Sequence, residues 1–230
     1  MKKTFIIFVA ILCNVFSFAQ SKSGIVEYEI AAVDVPFKEG NSQNDMVKSL
    51  IEMAKTQKYE LKFNSNFSSF MQVESIDNGQ YDENLLRSAK SVYATLDSYF
   101  IDGTKKELIT KTDDNILVKS DAIASGWKIS TETKMIDTYL CYKATYTSEF
   151  VARNNKIKTK TITAWFAPSL PFPYGPIEFH GLPGLILELN KDYTTYLAKK
   201  IVFVNQELKT DFPKGKTITK DEYEKVILKY

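Results

Sequence analysis

Histidine and cysteine are scarce in this chain, which has one histidine, His180, and two cysteines, Cys13 and Cys141. One histidine does not form a structural zinc site without cysteine or carboxylate ligands beside it, so we expect no metal and no cofactor. If an N-terminal segment that includes Cys13 is removed, Cys141 has no partner for an intramolecular disulfide. Stability must then come from a hydrophobic core, which 230 residues with 44% hydrophobic side chains are able to form.

An excess of charge of either sign is also missing. The chain has 30 basic and 28 acidic side chains. Removal of residues 1–19 takes away two lysines and no acidic residue, which leaves 28 of each kind. Proteins that bind nucleic acid through its phosphates carry a basic face, so this balance argues against a nucleic-acid partner.

One long apolar run is present, and it lies at the N-terminus. Phe5–Phe18 follows two lysines and is too short to be the preferred choice for a transmembrane anchor. Ser17-Phe18-Ala19 has small residues at the positions that precede a cleavage site. Residues 1–19 therefore predict a secretory signal peptide, with Gln20 as the new N-terminus. We expect an exported protein that is periplasmic, outer-membrane-associated or secreted.

Residues 20–230 alternate between apolar and polar side chains over most of their length, which predicts a single β-rich domain. The predicted strands cover residues 24–33, 59–63, 67–73, 93–101, 105–111, 116–118, 127–136, 139–150, 157–166, 185–189 and 195–204. A stripe of apolar residues predicts one helix within 41–57. Residues 77–91 predict a loop or a short helix. A capping box at Thr219 and Glu222 predicts a short C-terminal helix over 220–229.

The order of these elements decides between architectures. Successive strands joined by short polar turns imply a mainly β fold with a single curved antiparallel sheet, either a half-barrel or an open barrel. One helix would cover this sheet, and the short C-terminal helix would follow it. Two packed sheets are the alternative. The sequence contains no internal repeat and no domain linker.

The segment Gly181–Leu189 joins a glycine- and proline-containing turn to an apolar strand. Pro183 suits the second position of a type II turn, and Gly184 suits the third, where φ is positive. Leu185–Leu189 then predicts a buried strand. Because the sequence has no GxxxxGK[ST] phosphate loop, we interpret this segment as structural.

The hexapeptide Gly181–Ile186 and several segments before it resemble the bacterial GLPGLI family, which is named after this sequence. These segments are Gly126–Ile129, Glu132–Lys134, Cys141–Ala144, Ala164–Phe166 and Gly175-Pro176. The motif positions, to which we assign a structural role, are Trp127, Lys134, Cys141, Lys143, Ala144, Trp165, Gly175, Pro176, Gly181, Leu182, Pro183, Gly184, Leu185 and Ile186. The resemblance implies a small exported protein of bacterial envelopes without an established activity. It transfers no catalytic or ligand-binding residue.

Candidate catalytic chemistry is limited to one pair, in which His180 would be the base and Cys141 the nucleophile. Cys141 lies inside an alternating strand, where a small buried thiol is common. No glycine turn or helix N-terminus follows it to lower its pKa. A histidine beside a turn more commonly packs or forms hydrogen bonds, so we expect no enzymatic activity.

Aromatic residues make up 13% of the chain, and some have two interpretations. The residues concerned are Trp127, Trp165, Phe166, Phe172, Tyr174 and Phe179. They either fill the core, which we favour because Trp165 continues an alternating strand, or line a groove that faces a sugar or a lipid. The Pro-rich segment 168–176 is a further candidate, since loops on rigid scaffolds often carry function.

We therefore expect an exported envelope protein that is a non-catalytic binding or interaction module for an apolar or peptide-like ligand or for a partner protein. The first alternative is a cysteine-dependent hydrolase that uses Cys141 and His180. The second is a structural accessory of an outer-membrane complex. A filled sheet interior without an apolar groove would argue against the binding module, and wide separation of Cys141 and His180 would argue against the hydrolase.

Overall fold

The computed structural model describes residues 23–35, 43–73, 82–122, 126–151, 156–209 and 212–227. These residues form twelve strands and three helices. The strands are β1 (Ser23–Val33), β2 (Lys58–Asn64), β3 (Phe67–Gln72), β4 (Ser98–Asp102), β5 (Glu107–Lys111), β6 (Leu117–Asp121), β7 (Lys128–Ile136), β8 (Tyr139–Val151), β9 (Ile157–Ala167), β10 (Leu185–Lys191), β11 (Thr194–Val204) and β12 (Thr217–Thr219). The helices are α1 (Gln43–Lys55), α2 (Glu83–Tyr93) and α3 (Lys220–Ile227). The predicted signal peptide and cleavage site lie outside the described residues.

All twelve strands belong to one sheet, in the order β12-β6-β5-β4-β3-β2-β1-β11-β10-β9-β8-β7. Strand β1 pairs with both β2 and β11, so it joins the first and the last parts of the chain. Every pair is antiparallel except β12 with β6, a parallel pair that the sequence did not predict. The end strands β7 and β12 do not pair with each other among the described residues, so the sheet is open. The predicted mainly β fold is confirmed, and the alternative of two packed sheets is wrong.

Alternation along β1 shows how the two faces of the sheet differ. Val26, Tyr28 and Ile30 are buried on one face, which we call the inner face. Glu27 and Glu29 lie on the opposite face, which we call the outer face, because successive side chains of a strand point in opposite directions. Their carboxylates form ion pairs with lysines of the adjacent strand β11.

The inner face carries the hydrophobic core, and aromatic rings fill its centre. The Tyr59 ring stacks on the Phe70 ring with centroids 5.2 Å apart. Tyr59 and Tyr196 pack edge to face with ring centroids 5.6 Å apart. The Tyr28 hydroxyl donates a hydrogen bond of 2.5 Å to the carbonyl oxygen of Ile186, which ties β1 to β10. These rings are almost completely buried, so the middle of the sheet is a packed core and not a ligand chamber.

Helix α1 has the predicted amphipathic stripe in part. Leu50, Ile51 and Ala54 are buried, whereas Met46, which the pattern assigned to the same face, is 59% exposed. Met46 lies in the first turn of α1, and α1 packs against α2 and β1.

Helix α2 is the second helix beside the core and corrects the prediction of one covering helix. The carboxylate of Asp82 caps it by accepting the N–H of Leu85 at 2.9 Å. Ala89 and Tyr93 are buried in its last turns. The predicted strand over 93–101 therefore begins later, at Ser98. Packing of Tyr93 against the core outweighs its preference for a strand.

The turns and caps follow local sequence signals closely. The hairpin predicted at Asp102-Gly103 is present, but its loop has four residues, 103–106, because the Asp102 carboxylate accepts two backbone N–H groups of the loop. At the C-terminal helix, Thr219 and Glu222 form the predicted capping box through hydrogen bonds of 2.8 and 3.2 Å.

A long proline-rich connection between β9 and β10 lies against the inner face, and its end differs from the predicted type II turn. The N–H of Gly184 donates to the carbonyl oxygen of Leu182 at 2.8 Å, which closes a γ-turn around Pro183. The N–H of Leu185 instead reaches the carbonyl of Leu170 at 2.9 Å. A Cβ at position 184 would lie 2.2 Å from the carbonyl oxygen of Ala167. Glycine is needed at 184 because two backbone segments meet there, and not because a type II turn needs it.

Candidate functional site

Two adjoining cavities lie beside the proline-rich connection, and together they form the feature that we call the cleft. The first has a volume of about 790 Å³ and the second about 430 Å³. Asp121 and His180 line both cavities. Ligand pockets in proteins commonly have volumes of about 300–1,000 Å³, so each cavity is of a size that binds a small molecule or part of a larger one.

The curvature of the sheet creates the cleft. Strands β5 and β6 line the second cavity together with β8 and β9, although six strands separate β5 from β9 in the sheet. The two ends of the sheet therefore approach each other, and the proline-rich connection lies in the gap. The β4–β5 turn lines the first cavity together with Pro173, Tyr174, His180 and Gly181 of the connection.

An aromatic wall, formed by Trp127, Tyr146 and Phe179, lines the second cavity. The ring centroids are 5.7 Å apart for Trp127 and Tyr146, 5.8 Å for Trp127 and Phe179, and 6.1 Å for Tyr146 and Phe179. The indole N–H of Trp127 donates to the carbonyl oxygen of His180 at 2.9 Å, which fixes the indole against the connection. The three rings remain partly exposed, so their faces and edges are able to contact a ligand.

Charged side chains surround this wall. The ammonium of Lys191 lies 2.9 Å from Oε1 of Glu178 and 5.6 Å from the centroid of the Phe179 ring. The ammonium of Lys160 lies 2.6 Å from Asp192. The other oxygen of Glu178, Oε2, is buried and accepts no hydrogen bond from the described residues. Burial first, and then the negative charge of Glu178, raise the pKa of Tyr99, so this phenol stays protonated at neutral pH.

His180 stands at the junction of the two cavities. Its backbone forms an isolated antiparallel bridge with Tyr174, and its Nδ1 lies 3.0 Å from the carbonyl oxygen of Glu178. Tyr174 lines the first cavity, and burial, followed by the charge of Asp102, raises its pKa to about 12. At neutral pH the site therefore presents a neutral phenol at Tyr174, next to the His180 ring that contacts the Glu178 carbonyl.

Cys141 lies elsewhere. It is fully buried in β8, and its Sγ donates a weak hydrogen bond of 3.6 Å to the carbonyl oxygen of Tyr139. Burial raises the pKa of the thiol to about 11, so the thiolate is rare at neutral pH. The register places Cys141 on the outer face, whereas His180 borders the cleft on the inner side. No hydrogen bond joins the thiol to the imidazole within the described ranges, so the structure does not bring the proposed pair together.

Four of the predicted motif positions meet on the outer face, in what we call the outer-face cluster, which consists of Lys134, Cys141, Lys143, Trp165 and Glu188. The Lys134 ammonium lies 2.6 Å from Glu188 and 4.5 Å from the centroid of the Trp165 ring. The Lys143 ammonium pairs with Glu132 at 3.0 Å. Of the motif aromatic residues, Trp127 thus borders the cleft and Trp165 supports an ion pair on the opposite face.

The remaining motif positions pack or turn the chain. A Cβ at Gly175 would lie 2.7 Å from the side chain of Ile186, and the N–H of Gly181 donates to Pro173 at 2.7 Å. Pro176 accepts the N–H of Phe179 at 3.2 Å. Four of the buried motif residues, Ala144, Leu182, Leu185 and Ile186, belong to the hydrophobic core, and Phe166 and Phe172 also pack in or against it.

Sequence reasoning missed most of the residues that line the cleft. Lys105, Lys106, Asp121, Glu178 and Lys191 belong to ordinary turns or strand ends, and no motif connects them. Two signals led toward this region. One was the preference for functional residues in the proline-rich segment, which named positions up to 176 only. The other was the groove interpretation of the aromatic residues, of which Trp127, Tyr174 and Phe179 line the cleft. In the part of the chain that the structure describes, no group of three or more acidic, histidine or cysteine side chains is able to hold a metal ion. None of the described helices is long and apolar enough to cross a membrane.

Comparisons with known proteins add a family match and a fold. A family model described as a protein of unknown function (Porph_ging) matches residues 152–188, which include Gly181–Ile186. A search of curated proteins found no match. Two solved structures of PNGF-II, in the P21 and C2 space groups, are similar to 91% of this chain, with 16% and 15% identity and TM-scores of 0.55 and 0.54. The chain spans about one third of the length of these structures, at 34% and 33%, and identities this low show a shared fold alone.

Proposed function

We propose that this chain is an exported, non-catalytic binding module that holds a peptide-like ligand in the cleft. The observation that carries the proposal is the pair of adjoining cavities that share Asp121 and His180. Pockets that combine an aromatic surface with a few polar groups are the usual form of a ligand site.

The composition of the cleft favours a peptide-like ligand over a purely apolar one. Packed aromatic rings fill the centre of the inner face, which leaves the cleft at its side as the larger open space. There the aromatic wall adjoins Lys191, Glu178 and Asp121. A peptide offers apolar side chains for the rings, together with amide groups and charges for the polar neighbours. An acyl chain would offer no hydrogen-bond donor to Asp121, which lines the cleft and forms no ion pair with the described residues.

A binding role also agrees with the positions of the two candidate catalytic residues. Cys141 and His180 lie on opposite sides of the sheet, and the Cys141 thiol stays protonated at neutral pH. A nucleophile needs a base within about 3 Å and an accessible thiolate, and these positions provide neither.

We infer the cellular location from the N-terminal sequence. Lys2 and Lys3, the apolar run Phe5–Phe18 and the small residues before Gln20 support export. We also infer membership of the GLPGLI family. The match at residues 152–188 supports this inference because it contains the hexapeptide, and the upstream resemblance from Gly126 extends it.

Mass spectrometry of the protein purified from its own cell envelope tests the proposal. We expect peptides to co-purify with the wild type, and we expect them to be lost from an Asp121→Ala/His180→Ala variant. A matched Glu29→Ala/Lys199→Ala variant on the outer face should retain them. A partner protein that stays bound to both variants would instead favour a structural accessory. Absence of any peptide from the wild type would contradict the proposal.

A further inference from the structure

We propose, on the basis of the peptide-binding role above, that the cleft selects acidic peptides. Five lysines line it: Lys105 and Lys106 in the first cavity, and Lys160, Lys191 and Lys220 in the second. Two carboxylates, Asp121 and Glu178, oppose them. The lining thus has an excess of positive charge, although the whole chain is nearly balanced, with a formal net charge of +2.

Three of the five lysines are neutralised by carboxylates. Lys105 lies 3.2 Å from Asp102, Lys160 lies 2.6 Å from Asp192, and Lys191 lies 2.9 Å from Glu178. These pairs order the walls of the cleft and leave little charge for a ligand.

Lys106 and Lys220 are the cations that remain for a ligand. Both are exposed, and neither forms an ion pair with any of the described residues. Lys106 lies in the β4–β5 turn, where its carbonyl oxygen accepts the N–H of Ala122 at 2.8 Å and so holds the turn against the end of β6. Lys220 begins helix α3 and lines the second cavity. One free ammonium group therefore belongs to each cavity.

On the outer face, several lysines have carboxylate partners: Lys199 pairs with Glu29 at 2.8 Å, Lys200 with Glu27 at 3.2 Å, and Lys134 with Glu188 at 2.6 Å. Lys58, opposite Glu29, forms no ion pair with the described residues. A charged ligand gains little from the lysines that are already paired. At the cleft it meets two unpaired ammonium groups, and this complementarity favours a ligand with negative groups at both ends of an apolar segment.

Asp121 decides between classes of anionic ligand. It lines both cavities and has no ion-pair partner among the described residues. A nucleic acid or another continuous polyanion would bring its charges past this unpaired carboxylate, which repels them. A peptide is able to place amide N–H groups at Asp121, an apolar side chain against Trp127, and carboxylates near Lys106 and Lys220.

A synthetic octapeptide library tests this inference. Each random position is drawn from Glu, Lys, Gln, Leu and Trp, and the peptides captured by the immobilised protein are sequenced by mass spectrometry. We expect the captured peptides to be enriched in Glu and depleted in Lys relative to the library. A single captured acidic peptide is then measured by fluorescence anisotropy. Its binding should weaken as the salt concentration rises from about 50 mM toward 1 M, where the screening length falls to about 3 Å.

Variants with reversed charges show which lysines produce the preference for acidic peptides. A Lys106→Glu/Lys220→Glu variant should bind the acidic peptide roughly tenfold more weakly and lose the enrichment in Glu. A matched Lys199→Glu/Lys200→Glu variant changes the net charge equally on the outer face and should bind as the wild type does. An Asp121→Asn variant keeps an oxygen that accepts the amide N–H groups of a peptide but removes a repulsive charge, so it should bind the acidic peptide more tightly.

Each remaining outcome contradicts a different statement. Captured peptides without enrichment in Glu, or equal affinities of the two double-lysine variants, would overturn the acidic preference and leave the binding module in place. Capture of no peptide above the blank resin would overturn the proposed function itself. Displacement of the acidic peptide by a single-stranded oligonucleotide of equal or higher affinity would show that the cleft binds polyanions in general.

Discussion

The ammonium group of Lys134 on β7 lies 2.6 Å from a carboxylate oxygen of Glu188 on β10, although β8 and β9 separate these strands in the sheet. The same ammonium lies 4.5 Å from the centroid of the Trp165 ring on β9. The Lys134 side chain therefore crosses two strands and contacts both a carboxylate and an aromatic face. The side chain of Glu188 is 15% exposed, so water screens this pair less than it screens the other pairs of the outer face.

A double-mutant cycle of Lys134→Met and Glu188→Gln should show favourable coupling of about 1 kcal/mol, at the upper end for partly exposed ion pairs. Chemical denaturation of the four proteins measures it. The control is the cycle of Lys200→Met and Glu27→Gln, whose side chains are 61% and 49% exposed. Its coupling should be smaller, and an equal value in both cycles would show that burial at Glu188 contributes nothing.

The replacement of Gly184 by alanine or valine should destabilise the fold by about 1–3 kcal/mol, because the new Cβ overlaps the Ala167 backbone. Gly215→Ala is a matched control: φ is +154° there and +158° at Gly184, but its Cβ would meet a Leu117 methyl at 3.2 Å. Thermal unfolding should show a much smaller loss for this control.

His180→Ala should also leave the melting temperature nearly unchanged, while it weakens peptide binding. Binding lost at unchanged stability in Gly184→Val would instead assign the glycine to the ligand site.

The stability of the β4–β5 turn should depend on pH through Asp102. Burial of Asp102 alone would raise its pKa, but hydrogen bonds from Thr104 and Lys105 outweigh that effect and hold the pKa below its usual value. A carboxyl group with a lowered folded-state pKa stabilises the protein above the unfolded-state pKa of about 3.9 and loses this contribution as the pH falls through its folded-state pKa. The melting temperature of wild type should therefore exceed that of Asp102→Asn at pH 7, and the difference should shrink below about pH 4.

Carboxyl NMR provides the control for this interpretation. Thr104→Val removes the hydroxyl that donates to Asp102 at 2.6 Å, so the pKa of Asp102 should rise in this variant. A melting-temperature difference between wild type and Asp102→Asn that stays constant across the acid range would contradict the proposed linkage.

The Cys141 thiol should be inert in the folded protein. The sulfur is fully buried, so a reagent in solution does not reach it. Burial also raises the pKa of the thiol to about 11, so the reactive thiolate is rare at pH 8. A protein that begins at Gln20 has this single cysteine, and Ellman's reagent should label it only after denaturation. Cys141→Ala should keep its affinity for peptide. Rapid labelling of the native protein, or lost activity on a hydrolysable peptide, would restore the hydrolase alternative.

Export is tested at the N-terminus. Expression of the full chain in a Gram-negative host should give an envelope protein whose mass corresponds to a start at Gln20 without a lipid. A Lys2→Glu/Lys3→Glu variant should accumulate as precursor, because the positive segment before the apolar run is lost. An intact Met1 on soluble cytoplasmic protein would contradict the prediction.

Local signals in the sequence determined most of the secondary structure. Alternation over 157–166 predicted β9 to within one residue of its observed end, since one face of the strand is buried and the other is solvated. Thr219 and Glu222 predicted the start of α3 because a capping box acts within four residues. Residues 77–91 predicted either a loop or a short helix, because few of their side chains, such as Ala89, reach the core, and the structure has the helix α2 there.

Only the tertiary structure decided what these elements bring together. Asp121 and His180 are far apart in sequence and meet at one cleft because the sheet curves until its ends approach each other. Lys134 and Glu188 meet because β7 and β10 occupy particular places in the strand order. The alternation of apolar and polar side chains along a strand predicts which face is buried. It does not predict which strands that are distant in sequence become neighbours in the sheet. The strand order and the curvature of the open sheet around its packed aromatic core determine these neighbours and the position of the cleft.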